Sequence, residues 1–99
     1  MGEGDLTVGS IPSSQEEVPS TAPRFTHRQG QYLAYIHFYT KVHRIPPSEN
    51  EIARYFGVAG PSAHRMILAL EAKDLLWRTP GSPRTLRVRL DREEVPDLD

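Results

Sequence analysis

The stretch EIARYFGVAGPSAHRMILAL, residues 51–70, decides the fold. Glu51 to Phe56 reads as a short helix with Ile52, Ala53 and Phe56 inward. Ser62 to Leu70 reads as a second, with Ala63, Ile67 and Leu70 on its inner line and Met66 beside them, because residues three and four apart share one helix face. Between them lies only Gly57-Val58-Ala59-Gly60-Pro61. Gly57 suits the left-handed stop of the first helix, and Pro61 suits the opening of the next. So short a break turns the second helix sharply against the first.

Working upstream, Ser48 with Glu51 three residues on is a capping box. The preceding Pro46-Pro47 holds the chain extended and cannot continue a helix. Before that, Thr26 and Gln29 form another capping-box pair, with Phe25 ahead of them as a staple residue. The helix they open carries Tyr32, Leu33, Tyr35, Ile36, Tyr39, Thr40 and Val42 at helical spacing. It therefore reads as an apolar face about four turns long, ending near His43-Arg44. Its four aromatics (Tyr32, Tyr35, Phe38, Tyr39) are at core spacing, although such rings can also stack on bases.

Downstream, Lys73-Asp74 ends the third helix, Asp being one of the few residues that tolerate the left-handed region. Leu75-Leu76-Trp77 begins a strand, and Thr79-Pro80-Gly81-Ser82 fits a type II turn. In TLRVRL, residues 85–90, Leu86, Val88 and Leu90 share one face and Arg87 and Arg89 the other. Three helices followed by a two-stranded hairpin predict a mainly α, winged helix-turn-helix fold over residues 25–90.

Composition sets the frame. Ninety-nine residues, 37% hydrophobic and 25% charged, fit one modest soluble domain. With no cysteine there is neither a disulfide framework nor a thiolate metal site. The start of the chain has neither the basic flank nor the apolar run of a signal peptide, and no stretch approaches the about 20 apolar residues of a spanning helix. The expectation is a cytoplasmic, nucleoid-associated protein with no membrane partner. Residues 1–24, rich in Gly, Pro, Ser and Glu, read as a disordered tail. Residues 91–99, acidic and broken by Pro96, read as a second one.

The formal net charge of −1 hides a segregated distribution. In residues 25–90 ten Lys and Arg face four acids, a net of +6, while the two ends carry net charges of −3 and −4. A basic body attracts polyanions through counterion release and steering.

The ordered set of motifs also resembles a known family. FTHRQGQYLAYI (25–36), IPPSENEIARYFGV (45–58) and LALEAKDLLWRTPGSPRTLRVRL (68–90) are similar to the N-terminal DNA-binding domain of LexA-type repressors. The likeness lies in Thr26, Arg28 and Gln29 at the start, in Pro46-Pro47-Ser48 followed by Glu51-Ile52-Ala53, and in a helix ending in Leu-x-x-Lys before a basic wing. It covers about residues 25–90 and implies DNA binding. Three departures stand out. The self-cleaving peptidase domain of those repressors has no counterpart before Asp99, so the resemblance is closest to stand-alone LexA-like or MarR-like winged helices. The segment from Gly57 into the third helix is one residue shorter. Asp74 stands where the family carries Gly.

In such a fold the third helix, about residues 61–73, enters the major groove with its N-terminal half. That half presents Ser62, His64 and Arg65 outward, and an arginine can donate two hydrogen bonds to guanine O6 and N7. The wing, about residues 75–90, offers Arg84 at its turn and Arg78, Arg87 and Arg89 on its strands, where arginines reach phosphate or the minor groove. Arg28 in the first turn of the first helix and Ser48 at a helix N-cap are further phosphate candidates. Each of these residues can equally be an ordinary surface or capping group. The histidines show no metal-ligand spacing, and no nucleophile arrangement or glycine-rich phosphate loop is present. Catalysis, a cofactor and a small-molecule ligand are therefore not expected. The partner expected is double-stranded DNA, for a transcriptional regulator binding as a homodimer or with a partner protein. The alternative is a winged helix that docks on another protein without reading DNA sequence.

Overall fold

A computed structural model describes residues 24–99. The tail expected over residues 1–24 lies almost wholly outside the described residues. Helix α1 spans His27–His43, and its capping box is formed as expected: the Gln29 N–H donates to the Thr26 hydroxyl and the Thr26 N–H to the Gln29 side chain. Arg44 stops it in the left-handed region at φ 65°. After the two prolines, the Ser48–Glu51 box opens helix α2, Glu49–Phe56, and Gly57 closes it at φ 67°. Helix α3 runs from Gly60 to Ala72 with Pro61 in its first turn and no side-chain cap at Ala59. Asp74 then turns the chain at φ 62°, and the Leu75 N–H bonds back to the Leu70 carbonyl at 3.0 Å.

Two short strands follow, β1 (Leu76–Trp77) and β2 (Arg87–Val88), antiparallel with Leu76 opposite Val88 and Trp77 opposite Arg87. A further bond from the Arg89 N–H to the Leu75 carbonyl, 2.9 Å, extends the ladder. The expected turn is present, with the Ser82 N–H bonded to the Thr79 carbonyl at 3.2 Å and Gly81 at φ 77°. Behind it, the Thr85 hydroxyl accepts from the Thr79 N–H and donates to the Ser82 carbonyl, each at 3.0 Å. The chain is thus a mainly helical winged helix. Among the described residues no helix is long and apolar enough to cross a membrane.

The core joins all the elements. Leu33 and Ile36 of α1, Ile52 of α2, Ala63, Ile67 and Leu70 of α3, and Leu75, Leu76 and Leu86 of the wing are all buried. Each large aliphatic side chain fully buried contributes about 1.5–3 kcal/mol. The Tyr32 and Phe56 rings stack at 4.1 Å and join α1 to α2. Because α3 buries Ala63, Ile67 and Leu70 completely, its rotation is fixed, and with it the set of side chains it turns outward.

Two expectations change. Val42, read as part of the apolar face of α1, is 73% exposed. The last turn of α1 overhangs the core, so the buried face ends near Ile36 with partly covered residues up to Thr40. Residues 91–99, read as a loose tail, instead pack across the start of α1. Buried Gln31 donates from Nε2 to the Asp97 carbonyl (2.8 Å) and accepts the Asp99 N–H on Oε1 (2.7 Å). Pro96 lies against Gly30, where a Cβ would come within 3.1 Å of its ring. The first turn of α1 has no acid of its own. The Asp99 carboxylate, 2.9 Å from His27 Nε2, supplies negative charge at that positive helix end.

Candidate nucleic-acid interface

With Ala63, Ile67 and Leu70 inward, α3 exposes Pro61, His64, Arg65, Leu68, Ala69 and Ala72 on its outer face. Arg65 is exposed near the N-terminal end of that face. Among the described residues it makes one long hydrogen bond, from Nη2 to the Ser62 hydroxyl at 3.4 Å, and no ion pair. Ser62 itself is half-buried.

The neighbouring basic side chains are held differently. His64 Nδ1 lies 3.0 Å from the Glu49 carboxylate at the start of α2. The same carboxylate accepts from Arg78 Nη1, while Arg78 Nε pairs with Glu71 of α3 at 2.9 Å. Only 26% of the Arg78 side chain is exposed, and two of its three nitrogens are taken by carboxylates. Arg78 thus ties the base of the wing to both α2 and α3.

Arg84 sits at the far side of the wing in the left-handed region, φ 58°. Its Nη1 donates to Glu51 at 2.8 Å and to the Pro46 carbonyl at 3.4 Å. Glu51 is also bonded by the Ser48 N–H (2.9 Å) and the Tyr39 hydroxyl (3.1 Å). The Arg84 hydrogen bond first, and the Ser48 N–H second, hold the Glu51 carboxyl at a pKa of about 2, against its usual 4.5. In return Glu51 raises the pKa of Arg84. Arg84 contributes one nitrogen to these contacts, and 37% of its side chain stays open. Ser48, Glu49, Arg78, Ser82 and Arg84 line a groove of about 350 Å³ between the start of α2 and the wing.

The structure therefore gathers Ser48, His64, Arg78 and Arg84 around Glu49 and Glu51, with Ser62 and Arg65 next to them on α3. Two candidates lie elsewhere. The Arg28 guanidinium is over the Phe56 ring at 5.1 Å and the Tyr32 ring at 5.7 Å, beside the C-terminal end of α2, the opposite end from Ser48. Arg87 is over the Trp77 ring at 5.8 Å, on the exposed face of the hairpin. The sequence reading gave Glu51 a capping-box role and treated Glu49 and Glu71 as charge to subtract. It missed that they hold the wing arginines and His64, because pairing between elements has no local signature. Leu68, which the 65-68-72 spacing places beside Arg65, is exposed on the same outer face.

Comparison with known proteins identifies the domain over most of the chain. The family model for the LexA DNA binding domain matches residues 23–85. The LexA repressor of Thermobifida fusca (strain YX) is 36% identical over 86 residues, 85% of this chain and 33% of that protein. That of Thermotoga petrophila is 38% identical over 72 residues, 72% of this chain and 36% of that protein. That of Acidothermus cellulolyticus is 32% identical over 98 residues, 97% of this chain and 34% of that protein. The chain spans about a third of the length of these relatives.

Proposed function

The chain belongs to the LexA DNA-binding-domain family, and from that premise we propose that it binds double-stranded DNA as a cytoplasmic, nucleoid-associated transcriptional regulator. Helix α3 lies in the major groove and the wing rests on the flanking backbone. The observation that carries this reading is Arg65, exposed and without a carboxylate partner among the described residues, on the outer face of a helix whose other face is locked in the core.

The roles divide by what each side chain has left to offer. Arg65 donates to guanine O6 and N7, with Ser62 and His64 at the edge of the same contact. Arg84 contacts phosphate through the nitrogens that Glu51 leaves open, in a fixed orientation rather than as a free chain. Arg78 holds the wing in place for Arg84. Ser48, Arg28 and Arg87 supply peripheral phosphate contacts, which position a protein without reading sequence.

Titration of a random-sequence duplex at rising salt tests the proposal. Binding is expected at low ionic strength, with log K falling linearly in log[salt] at about 0.9 per phosphate neutralised. No binding at the lowest ionic strength would contradict it.

A further inference from the structure

The outer face of α3 changes character along its length. Arg65 is its strongest hydrogen-bonding group, and His64 beside it is turned to Glu49. Beyond Arg65 the exposed positions are Leu68, Ala69 and Ala72, with no side-chain donor or acceptor among them. Leu68 is 45% exposed and lies outside the hydrophobic core, so its side chain is open to a partner on this face. It is three residues from Arg65, about 4.5 Å along the helix axis, or between one and two base-pair steps.

In the major groove, base pairs display hydrogen-bonding groups and one apolar group, the C5-methyl of thymine. A Leu flanked by small residues, one turn past a guanidinium, matches that group and lets the helix approach closely. We infer that α3 reads a guanine and a neighbouring thymine, Arg65 on the guanine edge and Leu68 against the thymine methyl. This rests on the DNA-binding reading and adds a specificity residue and a base preference to it.

The test starts with duplexes enriched by the full chain from a random pool. In the enriched duplex each thymine is replaced in turn by deoxyuridine, which removes only the methyl group. Loss of one buried methyl corresponds to roughly a fourfold weakening, and one thymine next to the preferred guanine is expected to show it. With Leu68→Ala that replacement should change affinity by less than a factor of about 1.5, while Leu68→Met should keep the sensitivity. Leu68 is on the surface, and an unchanged melting temperature verifies that each variant is folded. An enriched site without thymine, indifference of the wild type to every replacement, or sensitivity that persists in Leu68→Ala would each overturn the inference and leave DNA binding standing. Failure to enrich any duplex while random DNA is still bound would overturn the inference alone, whereas absence of binding in the salt titration would overturn both.

Discussion

Arg65 and Arg78 belong to the same basic body, and their neighbours give them opposite roles. Removing Arg78 leaves Glu49 and Glu71 without their shared cation. Arg78→Ala is therefore expected to lower stability in urea by about 1 kcal/mol, since a partly covered network exceeds an isolated surface pair. An unchanged midpoint would show that the wing is held without the Arg78 pairs. Glu51 gives a pH signature. Its carboxyl pKa is lowered to about 2 by the Arg84 and Ser48 hydrogen bonds. Its contribution to stability is therefore full above about pH 4.5 and is lost as pH falls towards 2. Glu51→Gln preserves a capping-box residue and should flatten the stability profile between those values; an identical acid limb in both proteins would count against the Arg84–Glu51 pair as its source.

Among the elements, the helix boundaries were legible because they are encoded locally. Thr26 with Gln29, Ser48 with Glu51, Gly57, Asp74 and the turn at Pro80-Gly81 each act within a few residues, and all occur as expected. Val42 was misread because periodicity locates a face but not where the neighbours covering it end. The packed segment 91–99 was missed because its partners, Gln31 and Gly30, are more than sixty residues away in sequence. Gly30 makes that packing testable. An interior helical Gly→Ala change ordinarily stabilises by about 1 kcal/mol. Here the new Cβ would stand 2.9 Å from Phe25 Cε1 and 3.1 Å from Pro96 Cγ, so Gly30→Ala should instead destabilise by about 1 kcal/mol in urea. A gain would show that Phe25 and the 91–99 segment yield without cost.

For the whole molecule, a corner built from Ile52, Ala63, Ile67 and Leu70 aims one exposed helix face away from the core. The wing is held to that corner by buried Leu75, Leu76 and Leu86 and by the ion pairs of Arg78 and Arg84. The acidic 91–99 segment is held at the start of α1 by contacts with Gln31, His27 and Arg24. Residue types and spacing suggest the candidate residues in the sequence, whereas the carboxylate each basic group meets depends on pairing between elements, which leaves no local signal. The most direct measurement is the affinity of the wild type and of Arg65→Ala for the enriched duplex at one salt concentration, with thermal melts of both. Loss of one bidentate guanine contact, worth about 1–3 kcal/mol, should weaken binding by roughly 5- to 150-fold with the melting temperature unchanged. Equal affinities of the two folded proteins would contradict the placement of α3 in the groove.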